Sequence, residues 1–337
     1  MSGTDAAIQN HLPGDKVWII ANPIAGGRRA LRHRDRAIAL LQSRLPVRQV
    51  RWTQHRGDAE HWAREAAAAD ISLVVGFGGD GTLNELANGL IGSPTVLGIL
   101  PAGTGNVVAS ELAIPLDPLQ AADSLLTGRV ERIHVGLAEY APLAEELPSQ
   151  KPSSSFILHP PPSLPLVRRC FLFAAGLGFD AYVCRHLTTG VKRWGGRATY
   201  VFDGLRLFLR YQSPRLRVAL DGGEPIACSE LIVAKGRFYA GRFTIAPDAS
   251  PRKPDLDVCA FLSPGRGNLV RYAIGIARGK HVAYPDVLYR KAQAVEVTSE
   301  NEASPDKPVY LHLDGDTVGA APVRFAVQRD ALSVVVP

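Results

Sequence analysis

Long apolar runs are what this sequence most clearly lacks. No run approaches the roughly 18 to 20 consecutive apolar residues that a helix needs to cross a bilayer. Residues 1–16 include acidic residues and have no apolar core segment, which does not match the pattern of a secretory signal peptide. We therefore expect a protein that is soluble or attached only peripherally to a membrane.

Cysteine is also scarce. Cys170, Cys184, Cys228 and Cys259 show no CxxC or other metal-ligand spacing, and they are too few to cross-link a chain of 337 residues. This usage favours a reducing compartment. We expect a cytoplasmic protein that associates peripherally with the inner face of the membrane.

The length and charge of the chain set broad limits on its class. With 337 residues and 46% hydrophobic composition, two domains of ordinary size are expected. Lys and Arg number 38 against 32 Asp and Glu, which favours anionic partners such as nucleotide phosphates or acidic lipids. No nucleic-acid-binding motif accompanies this charge, so we expect no nucleic acid partner.

Residues 16–134 show the pattern of an α/β domain. The apolar runs VWIIA (17–21), ISLVV (71–75) and VLGIL (96–100), with the more mixed VRQVRWT (47–53), alternate with segments of helical spacing. Uniformly apolar runs suit strands that are buried on both faces, as in parallel sheets. We predict a nucleotide-binding α/β domain with a parallel sheet.

After residue 134 the pattern changes to short strand-like segments separated by Gly, Pro and Asp turns, such as RLRVALDGGEP and VYLHLDGD. This pattern predicts a mainly antiparallel β domain over residues 135–337, with a last strand that is able to return to the first domain. Residues 141–166 are rich in Pro and Ser and are interpreted as an exposed insertion.

Three glycine-containing loops follow predicted strands of the first domain: ANPIAGGRRA (21–30), GFGGDGTLNE (76–85) and LPAGTGNVVA (100–109). The carboxyl ends of parallel strands meet at one edge of the sheet, where α/β proteins bind ligands. Glycine permits positive φ and close backbone approach, which a loop needs to direct several N–H groups at phosphate oxygens. We therefore predict a phosphate site built by all three loops.

The second loop contains a literal GxGxxG at Gly76, Gly78 and Gly81. A dinucleotide-binding turn is disfavoured because Asp80 would place a carboxylate beside a pyrophosphate. The position about 20 residues later, near Pro101, also lacks the usual ribose-binding acid. A Walker loop is excluded because GxxxxGK[ST] does not occur in the chain.

The same loop is expected to open a helix. Thr82 followed by Glu85 has the spacing of a capping box, and Leu83, Leu86 and Leu90 follow at helical spacing. The partial positive charge of the helix N-terminus would then support a bound anion.

The ordered motifs NPIAGG, GGDGT, PAGTGN, AAGLGFDA (174–181), APDASPRKPDLDV (246–258) and HLDGDTVG (312–319) resemble the diacylglycerol kinase catalytic family, especially bacterial soluble lipid kinases. The resemblance implies an NAD kinase-like fold and an ATP- and Mg²⁺-dependent lipid kinase. Such an enzyme transfers the γ-phosphate to a hydroxyl of diacylglycerol or a similar membrane lipid. GGDGT favours diacylglycerol-type enzymes, because sphingosine kinases more often have Ser in place of the first Gly.

The resemblance also implies which residues contact ATP. Thr53 rests on its family position alone, whereas the loops are indicated by their own glycines. The implied residues are Asn22, Pro23, Gly26, Thr53, Gly78, Gly79, Asp80, Gly81, Thr82, Asn84, Glu85, Gly103, Thr104 and Asn106.

Phosphoryl transfer needs an oriented hydroxyl, Mg²⁺ on the phosphates and a base for the hydroxyl proton. In similar proteins the segment at Asp314 usually reads Asp-Gly-Glu, and its last acid is the proton acceptor. The resemblance therefore assigns Asp316 as the base, although its side chain is roughly 1.5 Å shorter than that of Glu. Asp314 and Asp80 would orient it or organise Mg²⁺. A simple hairpin is a compatible interpretation, because Asp-Gly favours a type I′ turn.

A structural Mg²⁺ often lies beside a DGLLDV-like segment in bacterial lipid kinases of this type. The matching stretch here reads KPDLDV, with Lys253 in the place of the first Asp. An ammonium cannot ligate Mg²⁺ but is able to supply the positive charge itself. Asp255, the candidate metal ligand, and Asp257 are then expected to be exposed turn carboxylates. Lys235 stands where relatives often have Asn in a GNGR-like segment.

Residues 190–220 suggest a membrane-facing helix, since basic side chains are interleaved with aromatic and apolar ones. A helix of this character is able to lie on an anionic membrane surface. A solvated basic face over a core-packed apolar stripe is an equally open interpretation. The side chains concerned are Lys192, Arg193, Trp194, Arg197, Tyr200, Phe202, Leu205, Arg206, Phe208, Leu209, Arg210, Arg215 and Arg217.

Three alternatives to a diacylglycerol-type kinase stay open at this point. The first is a ceramide or sphingoid-base kinase. The second is an NAD kinase, which AAGLGFDA and HLDGDTVG disfavour. The third is a non-catalytic nucleotide- or lipid-binding protein. Neither the lipid nor the oligomeric state follows from the sequence.

Overall fold

The computed structural model describes residues 16–26, 28–143, 166–187, 204, 206–239, 241, 243–300 and 308–337, without the side chains of residues 28–31. Most of the predicted insertion at 141–166 lies outside the described residues. The same is true of Lys192, Arg193, Trp194, Arg197, Tyr200, Phe202 and Leu205 in the predicted membrane-facing segment.

The chain divides into two compact units. The first comprises the described residues up to Ile133 together with Asp330–Pro337, and the second comprises the described residues within His134–Arg329.

The first unit has four parallel strands and the helices between and after them. The strands are β1 Val17–Ala21, β2 Val47–Trp52, β3 Leu73–Gly78 and β4 Val96–Pro101. The helices are α1 Arg28–Arg44, α2 Asp58–Ala68, α3 Asp80–Leu90, α4 Val107–Glu111 and α5 Pro118–Thr127.

The strands of the first unit pair in the order β2-β1-β3-β4, and each of these pairings is parallel. Every residue of β1, β3 and β4 is buried, whereas the edge strand β2 is partly exposed. Helices therefore cover both faces of the central strands, which accounts for their continuous Val, Ile and Leu content. The predicted parallel α/β fold is confirmed.

The second unit is mainly antiparallel. Its strands are β5 Arg129–Pro142, β6 Val167–Phe171, β7 Ala174–Leu177, β8 Leu216–Leu220, β9 Ile226–Cys228, β10 Glu230–Ala234, β11 Phe238–Tyr239, β12 Phe243–Thr244, β13 Leu256–Phe261, β14 Val287–Ala292, β15 Ala294–Ser299, β16 Tyr310–Leu313 and β17 Asp316–Val336. Its helices are α6 Phe179–Leu187 and α7 Arg266–Ala277, and a 3₁₀ turn covers His281–Ala283.

Antiparallel pairing joins β14, β13, β10, β7, β16 and β17 in that order, with β15 and β8 continuing from β17. The inner side chains of these strands form one apolar core, in which Phe171 and Phe325 pack edge to face with ring centroids 5.9 Å apart. The predicted antiparallel β region is therefore confirmed as well.

Strand β17 belongs to both units. Its first residues pair with β16, and its last residues pair in parallel with β4 through Val334 and Leu97. Leu332, Val334, Val335 and Val336 are all buried. The fifth strand of the first sheet is therefore supplied from the far end of the described chain.

Within the described ranges, no helix combines the length and the apolar character that spanning a bilayer would require.

Candidate functional site

The first loop begins where β1 ends. The backbone N–H of Asn22 donates to the Phe77 carbonyl (2.8 Å), and its side-chain amide donates to the Thr82 hydroxyl (3.4 Å). Its Oδ1 accepts from the N–H of Ile24 (3.1 Å), and Gly26 has φ +86°. Asn22 thus connects the first loop to the second at the carboxyl edge of the sheet.

Pro23 and Thr53 flank this connection. The Pro23 carbonyl accepts from the Arg34 guanidinium (3.3 Å). The backbone N–H of Thr53 donates to the Ala21 carbonyl (2.9 Å), so Thr53 lies beside the end of β1. Both residues are therefore at the same edge as the three loops.

The capping-box prediction for the second loop is wrong. Helix α3 begins at Asp80, and its N-cap is Gly79 in an extended conformation without a side-chain cap. Thr82 and Glu85 have other partners, since Thr82 accepts from Asn22 and Glu85 accepts from the backbone N–H of Gly57 (3.0 Å). Burial raises the pKa of Glu85, and the hydrogen bond from Gly57 opposes this shift.

Two glycines of the literal GxGxxG lie in strand β3 rather than in the loop. A Cβ on Gly76 would overlap Leu86, and a Cβ on Gly78 would lie 2.5 Å from the Cβ of Thr82. These glycines therefore let α3 pack closely against β3. Gly79 and Gly81 are the ones that sit at the helix start.

The third loop lies against the second. A Cβ on Gly103 would be 2.7 Å from the Cα of Gly79. Asn106, at φ +48°, closes the turn: its Oδ1 accepts from the N–H of Gly103 (2.7 Å), and its Nδ2 donates to the Gly103 carbonyl (3.0 Å). Thr104 is exposed at the tip of this loop.

Asp80 bridges the starts of two helices. It is in the first turn of α3, and its Oδ1 accepts from the N–H of Val108 in the first turn of α4 (3.2 Å). Burial raises the pKa of Asp80, while hydrogen bonds from the α4 backbone lower it in part. Asn84 faces inward on α3, where it accepts from the side-chain amide of Asn88. Asp80 therefore ties the second loop to the third.

Asp314 is held by backbone N–H groups in the second unit. Its carboxylate accepts from Leu172 (2.7 Å), Phe173 (3.0 Å) and Ala174 (3.1 Å). Asp314 and Gly315 both have positive φ, +50° and +86°, between the paired residues Leu313 and Asp316. A two-residue turn with two positive φ values is typical of the type I′ hairpin, so the hairpin interpretation is confirmed. Asp314 fixes the turn that presents Asp316.

Asp316 opens β17, and its side chain is exposed. It is the one of the three candidate acids that is not substantially buried. Asp80 and Asp314 already accept backbone hydrogen bonds. If they orient the base or organise Mg²⁺, as the sequence suggests, they do so while keeping these bonds.

A buried Asp–His–Tyr cluster lies behind this hairpin. His312 is fully buried, and its Nδ1 accepts from the N–H of Gly315 (3.2 Å). The proton therefore sits on Nε2, which donates to Oδ2 of Asp180 (2.7 Å). The Tyr239 hydroxyl donates to the same oxygen (2.8 Å). His312 thus fixes the hairpin from behind.

The environment of Asp180 keeps it ionised. Burial alone would raise its pKa, but the hydrogen bonds from His312, Tyr239 and the backbone N–H of Ala181 hold the pKa of this carboxyl below its usual value. A Cβ on Gly176 would overlap both Asp180 and His312, so the cluster requires glycine there. The sequence analysis assigned no role to Asp180 or Tyr239. In the sequence, Asp180 and His312 are marked only by their positions in the motifs AAGLGFDA and HLDGDTVG, and Tyr239 lies in neither motif.

Two known family models match this chain, one over each part of it. Residues 16–138 match the model described as the diacylglycerol kinase catalytic domain, and residues 174–336 match the model described as the YegS C-terminal NAD kinase beta sandwich-like domain. The chain belongs to the diacylglycerol kinase catalytic family. As a member of this family it is a lipid kinase.

Curated relatives of this diacylglycerol kinase family member match along almost the whole chain. A diacylglycerol kinase of Bacillus subtilis (strain 168) is 26% identical over 329 residues and covers 96% of each chain. One of Mycobacterium tuberculosis is 29% identical over 328 residues, covering 96% of this chain and 95% of that protein.

A crystal structure from Bacillus anthracis str. Sterne, of a protein with the provisional name diacylglycerol kinase, matches with a TM-score of 0.71. The match has 20% identity and covers 96% of this chain and 98% of that one. At this identity the likeness shows the fold alone, which supports the family fold predicted from the motifs.

The structural Mg²⁺ site of related lipid kinases does not fit the residues present here. The Asp255 carboxylate is ion-paired with Lys291 (3.3 Å). Asp257 is buried in β13 and accepts from the Tyr289 hydroxyl (2.6 Å). The expectation of exposed turn carboxylates is wrong for Asp257, because β13 begins at Leu256 and places this residue in the sheet, and Asp255 is only partly exposed.

Proposed function

We propose that this family member transfers the γ-phosphate of ATP to a hydroxyl of diacylglycerol or a similar membrane lipid. The observation that supports this most directly is the contrast among the three candidate acids. Asp314 is buried and Asp80 is partly buried, whereas Asp316 is exposed on the hairpin that Asp314 holds through three backbone N–H groups. An accessible carboxylate on a rigid support is what a base for a substrate hydroxyl requires.

The nucleotide is proposed to bind at the three loops of the first unit. The first turn of α3 has N–H groups without a side-chain cap, and the partial positive charge of a helix start favours phosphate. The close contact between Gly79 and Gly103 leaves no room for a side chain at either position, so the backbones of the second and third loops approach each other directly. Both features support a phosphate site at this edge of the sheet.

Mg²⁺ bound with ATP would neutralise charge on the phosphates during transfer. Among the residues of the first unit, Asp80 has the carboxylate that is best suited to interact with such a cation. It is positioned by its hydrogen bond to α4, so the same side chain that ties the loops together also offers negative charge at the site.

The test is transfer from γ-labelled ATP to a panel of diacylglycerol, ceramide, sphingosine and NAD in mixed micelles, with product identification. Labelled phosphatidic acid is expected. Labelling of ceramide or sphingosine alone would replace diacylglycerol as the substrate while keeping the lipid kinase. Labelling of NAD alone, or of nothing, would contradict the proposal.

The membrane contact is proposed to lie on the exposed face of α7. Val270 and Ile274 are 47% and 44% exposed one turn apart, and Arg266 and Arg278 lie exposed at the two ends of the helix. Residues 263–285 contain no acidic side chain. An apolar stripe bordered by cations complements a bilayer with anionic head groups, where each cation near the surface contributes about 1 kcal/mol.

Described residues of the earlier membrane-facing segment adjoin this face. The Arg266 guanidinium donates to the carbonyl of Leu209 (2.5 Å), and Leu209 is 56% exposed. Phe208 instead packs edge to face on Phe179, and Tyr211 is buried. This part of the segment therefore has both a core-packed side and an exposed side, so it adds Leu209 to the apolar face of α7.

A further inference from the structure

A fully buried lysine lies outside the kinase chemistry discussed so far. Lys235 follows strand β10 and has 0% exposure. Its Nζ donates to three backbone carbonyl oxygens of one loop: those of Ser250 (2.8 Å), Lys253 (2.5 Å) and Asp255 (2.9 Å). An ammonium has three protons, and each has one carbonyl partner here.

Three carbonyl oxygens that converge within six residues of chain form a cation site. Backbone carbonyls are ordinary ligands of Mg²⁺ and Ca²⁺, and they attract an ammonium for the same reason. The remaining charges support a cation at this point, because Asp255 and Asp257 favour the charged form of Lys235 while Lys291 and Lys253 oppose it.

Lys253 does not take this position itself. Its Nζ donates to the Asp248 carbonyl (2.6 Å), at the start of the same loop. The sequence-based expectation that Lys253 supplies the positive charge of the site is therefore corrected: the central ammonium comes from Lys235. Three carbonyl acceptors around one nitrogen require three N–H donors, which the ammonium form of Lys235 supplies.

We propose that the Lys235 ammonium is the resident cation of the loop formed by residues 248–257 and replaces a divalent metal there. The loop is held on another side by a hydrogen bond from the N–H of His134 to the Pro251 carbonyl (2.8 Å). Its conformation then needs no metal from solution, in contrast to a loop whose converging carbonyls must be closed by Mg²⁺ or Ca²⁺.

The first experiment measures thermal unfolding of the nucleotide-free protein with EDTA, Mg²⁺ or Ca²⁺, together with hydrogen exchange of residues 248–257. The wild type is expected to show the same exchange in this loop with and without metal. Loop protection that appears with Mg²⁺ or Ca²⁺ and disappears with EDTA would overturn the proposal. Because exchange is read within the loop, Mg²⁺ bound elsewhere does not confuse the result.

The second experiment removes the charge. Lys235→Met keeps most of the side-chain volume but leaves three carbonyls without a donor, so Tm is expected to fall by roughly 5 °C or more. Lys291→Met, which removes a neighbouring and more exposed ammonium, is the matched control and is expected to change Tm by less. Equal, small effects of the two variants would contradict the assignment.

The third experiment replaces the Lys235 ammonium with a site that a divalent metal is able to occupy. Lys235→Asn combined with Lys253→Asp empties the centre of the carbonyl cage and adds a carboxylate beside it. Mg²⁺ or Ca²⁺ is expected to raise Tm and to slow exchange of residues 248–257 in this variant but not in the wild type. A double variant that folds and gains nothing from either metal would show that the cage is not a cation site. If Lys235→Met fails to fold, the metal response of this variant and of the wild type still decides the question.

Discussion

Three aspartates illustrate how residue environment separates roles that the sequence leaves together. Asp80, Asp314 and Asp316 were all candidates for handling a proton or Mg²⁺. The oxygens of Asp314 accept from three backbone N–H groups, and one oxygen of Asp80 accepts from the start of α4. Asp316 is exposed at the first position of β17, and we propose it as the acid that receives a proton from the substrate.

Replacement of Asp316 tests this division. Asp316→Asn is expected to lower kcat by about 10²- to 10⁴-fold with little change in KM for ATP, because only the proton acceptor is lost. Asp314→Asn is the comparison, since it weakens three charge-assisted hydrogen bonds and should cost roughly 1.5–3 kcal/mol of stability. Steady-state kinetics and urea unfolding distinguish the two. Full turnover by Asp316→Asn would rule out Asp316 as the base.

The buried carboxyl of Glu230 predicts a pH dependence of stability. Burial raises the pKa of Glu230 to about 8, although hydrogen bonds from Phe179 and Tyr211 lower it in part. In the unfolded chain a Glu titrates near ~4.3. Between these values the folded protein binds more protons than the unfolded chain, so the free energy of unfolding falls as pH rises from about 5 to 8.

Glu230→Gln removes this titration. The variant is expected to become progressively more stable relative to the wild type as pH rises through that window. Urea unfolding of both proteins at several pH values measures the difference directly. A stability difference that does not change with pH would show that Glu230 is already ionised in the folded protein at pH 5.

At the scale of elements, α3 is a helix whose start the sequence pattern predicts wrongly. Thr82 and Glu85 have the spacing of a capping box, yet each side chain is used by a different loop. The helix can start earlier because Gly79 adopts an extended conformation and lies against Gly103, which leaves no room for a side chain. The start of the helix is therefore decided by contact between loops distant in sequence.

The exposed face of α7 gives a prediction about membrane binding. Val270→Ser with Ile274→Ser is expected to reduce partitioning into vesicles of phosphatidylglycerol and phosphatidylcholine by about fivefold, since two half-exposed side chains lose on the order of 1 kcal/mol between them. Leu116→Ser, at a 43% exposed leucine of the first unit, is the matched control.

Cosedimentation with vesicles measures this partitioning, and kinase activity towards a soluble short-chain diacylglycerol is measured in parallel. The activity should stay unchanged in both variants, which separates membrane contact from the proposed reaction. Equal loss of binding in the Leu116 control, or none in the α7 variant, would remove α7 as the contact surface.

At the scale of the whole molecule, β17 makes the first unit depend on distant residues. Val334 pairs with Leu97 of β4 and is fully buried. Val334→Asp is expected to unfold the first unit, because it buries an unpaired charge in the sheet. Arg329→Ala, at an exposed position of the same strand, is the control. Circular dichroism and binding of an ATP analogue measure the outcome; a Val334→Asp protein with normal Tm would contradict it.

Features that depend on residues adjacent in sequence could be predicted, whereas features built from residues distant in sequence could not. Continuous apolar runs determined β1, β3 and β4, and Asp314-Gly315 determined a hairpin, because both depend on adjacent residues. The Asp180–His312–Tyr239 cluster could not be found that way, since its members are 59 and 132 residues apart in sequence. The identity of the ATP contacts stays a prediction, because it depends on a bound nucleotide.

The course of β17 also has a consequence for biosynthesis. Residues up to Ile133 leave the ribosome early, but the strand that completes their sheet follows only after residues 134–329 have been translated. At 5–20 residues per second this delay is roughly 10 to 40 s. During that interval β4 presents an unpaired edge, so the first unit cannot finish folding before the unit with Asp316 has been made. A cell would therefore hold few chains able to bind ATP before they also possess the proposed base.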